Sequence, residues 1–109
     1  MPTIIAHTAV VDPRAQLDDD VRVGHHCVIG PHVRIGRGTR LENNVTLTGH
    51  TTIGRDNHIF PNCVIGSEPQ DISYQGSPTQ VIIGDSNVFR ESVTVNRGTE
   101  KDDGITSIG

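Results

Sequence analysis

Histidine, arginine and cysteine recur in this chain at intervals of 18 residues or a multiple of it. His7 and His25 stand 18 apart, as do His32 and His50; Arg37 and Arg55 repeat the interval, and Arg22, Arg40 and His58 carry it through two steps. Cys27 and Cys63 are separated by twice that distance. Two imidazoles brought together can share a metal ion. A stripe of guanidinium groups suits a pyrophosphate or an acidic protein, because each planar fork presents several donors to anionic oxygens. Each possibility requires a fold that turns an 18-residue separation into spatial neighbourhood.

The chain carries a matching period. An aliphatic residue occupies every sixth position: Ile5, Val11, Leu17, Val23, Ile29, Ile35, Leu41, Leu47, Ile53, Ile59 and Ile65. The residue after each is mostly small or acidic, as at Asp12, Asp18, Gly24, Gly30, Gly36 and Gly54, which suits a corner; Phe60 is the exception. Four places after each aliphatic come Ala9, Ala15, Val21, Cys27, Val33, Thr39, Val45, Thr51 and Cys63, small or β-branched side chains that can fill an interior; Asn57 is the outlier. A six-residue period fits neither an amphipathic helix nor an alternating sandwich strand. It fits a solenoid in which each hexad makes one short strand and one corner. This hexapeptide-repeat pattern resembles the left-handed parallel β-helix, with three hexads to a triangular coil. The period leaves the hand open and the general rule for parallel crossovers favours the right hand; the left hand is what the resemblance implies.

Coils then fall at about 5–22, 23–40 and 41–58, with a fourth starting at Ile59. Ser67 to Gln80 interrupts it with Pro69, Gly76 and Pro78, and reads as an extruded loop. The frame returns at Ile83, Phe89 and Val95, breaks again from Gly98 to Ser107, and restarts at Ile108-Gly109. Ending in mid-coil, the chain lacks the cap that protects a solenoid's last edge. The expectation is one all-β domain over 1–109, of about five coils with loop insertions at 67–80 and 98–107, forming the N-terminal portion of a longer protein.

Composition agrees. Among 109 residues, 33% are hydrophobic and 3% aromatic with no Trp, so Ile and Val must build the core. There are 12 Ile and 12 Val against 3 Leu, and 12 Gly, a mix that disfavours helical bundles and favours short strands with tight corners. A net charge of −4 argues against nucleic acid as a partner. The first twenty residues lack a basic start, an apolar stretch of signal length and a cleavage site, and no later run approaches a transmembrane segment. The expected location is cytoplasmic.

With coils stacked about 4.8 Å apart, residues 18 apart lie one above the other. Cys27 and Cys63 fall in one inward column but two coils apart, roughly 9.6 Å and beyond disulfide reach, so both are expected to be reduced core thiols. The pairs His7/His25 and His32/His50 face outward, and no Cys or well-placed carboxylate completes a metal shell; they read as surface or subunit-contact residues, with no metal ligand assigned. The arginine stripes read as a solvated face whose anion binding is worth testing.

The stretch GSEPQDISYQGSPTQVIIGDSNVFRESVTVNRGT, Gly66 to Thr99, is more specific than the repeats. It resembles the UDP-N-acetylglucosamine O-acyltransferase family in Gln70-Asp71, Tyr74, Gly76, Pro78-Thr79, Val81, Ile83-Gly84-Asp85, Asn87, Arg90-Glu91, Val93-Thr94 and Arg97-Gly98-Thr99. The upstream GPHVRIGRGT and GHTTIGRDN look like the same family. The resemblance implies transfer of a 3-hydroxyacyl group from acyl carrier protein to the 3-hydroxyl of UDP-N-acetylglucosamine, the first step of lipid A synthesis, in a homotrimer and with no cofactor. It implies substrate binding by Asp71, Gln70, Tyr74 and Asn96. Asn96 stands where many members have His, Ser73 where many have Lys and Ser77 where Glu is frequent. The family's general-base His falls in a coil past Gly109, so the resemblance implies no catalytic residue within the chain and no competent enzyme from residues 1–109 alone. Two other classes remain open: a metal-dependent protein similar to γ-type carbonic anhydrases, kept in view by His25, His26, His32 and His50, and a non-catalytic assembly or regulatory fragment.

Overall fold

The computed structural model describes residues 2–67, 80–96 and 105–109. Every regular element among them is a strand, two to four residues long, and all strand pairing is parallel. Three sheets of five strands form the sides of a triangular coil. The first stacks β1 (Ile4–Ile5), β4 (Arg22–Val23), β7 (Arg40–Leu41), β10 (His58–Ile59) and β13 (Val88–Phe89). The second stacks β2 (Val10–Val11), β5 (Val28–Ile29), β8 (Thr46–Leu47), β11 (Val64–Ser67) and β14 (Thr94–Asn96). The third stacks β3 (Gln16–Leu17), β6 (Val33–Ile35), β9 (His50–Ile53), β12 (Gln80–Ile83) and β15 (Ile105–Ile108).

The hexad frame becomes three inward columns. Ile5, Val23, Leu41, Ile59 and Phe89 are register partners in the first sheet. Val11, Ile29, Leu47, Ile65 and Val95 form the second column, and Leu17, Ile35, Ile53, Ile83 and Ile108 the third. From Val21 to Phe89 the column residues and their aliphatic, Thr and Cys companions are buried, as is Val95, whereas Val93 and Ile108 near the other end are partly buried. In the first coil Ile5 is half exposed and Val11 and Leu17 only partly buried, because a coil covers them on one side only. The frame's return at Ile83, Phe89 and Val95 holds: they stack on Ile53, Ile59 and Ile65.

The strands reach further into both breaks than the sequence indicates. Ser67 closes β11, Gln80 opens β12, and Ile105 to Ser107, expected within the second break, run in β15. Ladder pairing is the reason, since Gln80 lies in register with His50 and with Ile105. Polar side chains outside the aliphatic frame gave no sign of this.

Corners are made by single residues in the left-handed region. Asp20, Asn44, Asp56 and Asn62 have φ between 55° and 67°, conformations that Asn and Asp tolerate better than other non-glycine residues. Their neighbours stack too: the N–H of Asn44 donates to the carbonyl of His25, that of Asp56 to Arg37 and that of Asn62 to Asn43. Asn57, the outlier of the inward pattern, is buried and fully engaged. Its Nδ2 donates to the Gly84 carbonyl at 2.8 Å and its Oδ1 accepts from the Asn87 N–H at 2.8 Å.

Candidate functional site

The segment carrying Gln70, Asp71 and Tyr74 follows β11 in the sequence, and the backbone at the end of that strand is unusual. Gly66 has φ +92° and is buried; a Cβ on it would run into the carbonyl oxygen of Thr48 and the hydroxyl of Thr51. That hydroxyl donates to the same Thr48 carbonyl at 2.7 Å, so the neighbours are held in place. Glycine alone meets both conditions. The ladder slips at this point: Ile65 pairs with Val95, but Ser67 pairs with Asn96, leaving Gly66 as the extra residue of a bulge. A bulge bends its strand and redirects the chain beyond it. This one sets the backbone of Asn96 opposite Ser67, the last described residue before the insertion. Of the four binding candidates, Asn96 is placed by its backbone alone; Gln70, Asp71 and Tyr74 lie outside the described residues, as do Ser73 and Ser77.

The 18-residue pairs meet as the register requires. His32 and His50 stack face to face, centroids 4.4 Å apart and planes 10° off parallel. Their in-plane nitrogen lone pairs therefore lie in parallel planes and do not converge on one ion. His7 and His25 meet edge to face at 5.9 Å, and His25 Nδ1 lies 2.9 Å from the Thr8 hydroxyl. Among the described residues no three His, Cys, Asp or Glu groups converge as a metal site. Cys27 and Cys63 are free and buried. Burial pushes both thiols up from their ordinary range, and each Sγ donates at 3.0 Å to a backbone carbonyl, Glu42 for Cys27 and Arg90 for Cys63.

The arginine stripes are partly neutralised. Arg37 lies 3.6 Å from Asp20 and Arg40 3.7 Å from Glu42. Glu42 Oε2 also sits 2.6 Å from His58 Nε2. His58 stacks on Phe60 at 4.2 Å, and the Arg90 guanidinium carbon lies 3.9 Å from the Phe60 centroid, a cation–π contact. Residue spacing brought Arg40 and His58 together but did not announce Phe60 and Arg90 beside them. Their signal was available once the insertion is subtracted: Phe60, the exception among the small corner residues, is followed one coil later by Arg90. At the corner before β3, a side-chain hydrogen bond from Arg14 holds the partly buried Asp12 carboxyl below its usual range.

Comparison with known proteins agrees with this architecture. A family model described as bacterial transferase hexapeptide (six repeats) matches residues 2–37. The chain is 62% identical over 105 residues to the acyl-[acyl-carrier-protein]–UDP-N-acetylglucosamine O-acyltransferase of Stenotrophomonas maltophilia, covering 96% of this chain and 40% of that protein. It is 62% identical over 107 residues to the protein of the same name from Janthinobacterium, covering 98% and 41%. Among solved structures, LpxA from Acinetobacter baumannii superposes with a TM-score of 0.95 at 42% identity, over 97% of this chain and 41% of that one. The UDP-N-acetylglucosamine O-acyltransferase of Moraxella catarrhalis gives 0.93 at 41% identity, over 96% and 41%. The chain thus spans about 40% of the length of the relatives it matches. With these neighbours and the hexapeptide match, the three-sided coil is a left-handed parallel β-helix. The resemblance read from the 66–99 motif holds over nearly the whole chain, and the metal-dependent alternative is not favoured.

Proposed function

We propose that this chain, a homologue of the UDP-N-acetylglucosamine O-acyltransferases, is the part of such an enzyme that holds the sugar nucleotide. The observation that carries the reading is identity of 50% to 62% over 96% to 98% of the chain, a span that takes in the 66–99 motif. In the reaction, the sugar 3-hydroxyl oxygen attacks the thioester carbonyl of a 3-hydroxyacyl group on acyl carrier protein. The carbon–sulfur bond breaks, the carrier thiol leaves, and a general base takes the hydroxyl proton. This opens lipid A synthesis.

Asp71 accepts hydrogen bonds from the sugar hydroxyls, Gln70 and Tyr74 bind from the same loop, and Asn96 contributes an uncharged donor and acceptor. The Gly66 bulge supports this reading, because it aligns the root of that loop with Asn96. Neither a metal nor a dissociable cofactor takes part. The general base belongs to residues outside 1–109, and its lack lowers the rate of this chain alone by about 10²–10⁴. The complete enzyme is a cytoplasmic homotrimer with its site in the groove between subunits, where acyl carrier protein delivers the acyl chain. No helix among the described residues is long and apolar enough to cross a membrane.

Deleting residues 68–79, which keeps the strand residues Ser67 and Gln80 and restores the hexad spacing between Ile65 and Ile83, tests the assignment. The shortened chain is expected to keep its repeat fold by circular dichroism and to lose UDP-N-acetylglucosamine binding. Binding retained at full affinity would place the sugar-nucleotide site elsewhere.

A further inference from the structure

The outer face of the third sheet holds an open pocket of about 300 Å³ lined by Arg14, Gln16, Pro31, His32, Arg34 and His50. The coil repeat builds it. Arg14, His32 and His50 occupy one outward column at successive 18-residue steps, and Gln16 and Arg34 are register partners of β3 and β6 in the column beside it. Three coils thus contribute donor side chains to one concavity.

Its charge is cancelled only in part, by the Asp12 carboxylate, which pairs with Arg14 and acts electrostatically on His32. Arg37 is paired with Asp20 of the preceding coil and Arg40 with Glu42 two residues on, whereas Arg34, like Arg22 and Arg55, has no carboxylate partner among the described residues. Arg14 is held by Asp12 at 3.1 Å and 3.3 Å, which absorbs one positive charge and leaves that of Arg34. His32 and His50 stack through their faces, so their ring edges, which bear the N–H donors, stay available; neither ring makes a hydrogen bond among the described residues. A fixed guanidinium fork, two imidazole edges and an amide are the donor set that recognises tetrahedral oxyanions, whose several oxygens each accept more than one hydrogen bond.

We propose that this pocket binds the phosphoryl or diphosphoryl group of a small molecule, with Arg34 and the His32 and His50 ring N–H groups as its donors. The volume admits either one or two phosphoryl groups. Its lining shares no residue with Gln70, Asp71, Tyr74 or Asn96, the residues proposed to bind the sugar nucleotide.

The test uses the isotopically labelled chain 1–109 and follows its imidazole resonances by NMR while sodium pyrophosphate, or in a second series inorganic phosphate, replaces chloride at constant ionic strength. Saturable shifts of His32 and His50, with His7 left unmoved, are expected. Arg34→Gln should weaken binding by about tenfold, the scale of one charge-assisted hydrogen bond. The double variant His32→Gln/His50→Gln, read through the backbone amide of Arg34, should weaken it at least as much. Arg37→Gln should bind as the unaltered chain does. Tighter binding of pyrophosphate assigns two phosphoryl subsites, and equal binding assigns one. Asp71→Ala should leave these shifts intact, which separates this site from the sugar-nucleotide loop. Shifts that do not saturate, or affinity unchanged in Arg34→Gln, would overturn the proposal.

Discussion

Replacing Asn57 with alanine removes a side chain that is 1% exposed and serves two coils at once. Its Nδ2 donates to Gly84 at 2.8 Å and to Arg55 at 3.3 Å, and its Oδ1 accepts from the Asn87 N–H at 2.8 Å. The Arg55 carbonyl keeps a second donor, the N–H of Ser86 at 2.9 Å, and survives the change. The Gly84 carbonyl and the Asn87 N–H both lose the amide that satisfies them. A buried polar group left unsatisfied costs about 1–3 kcal/mol, so the two together cost about 2–6 kcal/mol, a large share of the roughly 5–15 kcal/mol that holds a typical domain folded. Asn57→Leu refills the volume but not the hydrogen bonds and should lose a similar amount. Urea unfolding followed by circular dichroism measures the loss, and hydrogen exchange at the Asn87 amide localises it. If either variant loses less than about 1 kcal/mol, or if Asn87 exchange is unchanged, the buried polar column does not hold these coils together.

Other perturbations probe different parts of the account. Gly66→Ala must place a Cβ against the Thr48 carbonyl at φ +92°, and should destabilise the chain by about 2 kcal/mol or more and weaken sugar-nucleotide binding; thermal unfolding and calorimetry read the two effects. Ile59→Ala empties the middle of an inward column and should cost about 2–5 kcal/mol by urea titration. Cys27 and Cys63 should resist a thiol-reactive dye in the native state and react quickly once unfolded. Burial raises both thiols in the folded state, so above the unfolded thiol range of about 8.5 the unfolded chain sheds protons that the folded chain keeps. Stability should therefore fall as pH rises past that range, and unfolding midpoints at about pH 7 and about pH 10 measure it.

Most of the architecture was legible because a solenoid writes its packing into the local sequence. The aliphatic frame from Ile5 to Ile65 is the list of column residues, and the same period brings His32 onto His50. Less was legible where the period is broken. The bulge at Gly66 depends on contacts with Thr48 and Thr51 from the preceding coil, and nothing local distinguishes this glycine from the corner glycines. Asn57 breaks the apolar rule because its partners Gly84 and Asn87 lie across the insertion, hidden until the register is known. The Phe60–Arg90 contact is hidden in the same way. The loop residues Gln70, Asp71 and Tyr74 stand out by motif rather than by period, because recognition of a ligand imposes no repeat.

The most direct measurement is calorimetric titration of the chain 1–109 with UDP-N-acetylglucosamine, with Asp71→Ala alongside. The account predicts saturable binding by the unaltered chain and its loss in the variant, both proteins being folded by circular dichroism. No binding by a folded unaltered chain, or equal binding by Asp71→Ala, would contradict the claim that these coils hold the sugar nucleotide through that loop.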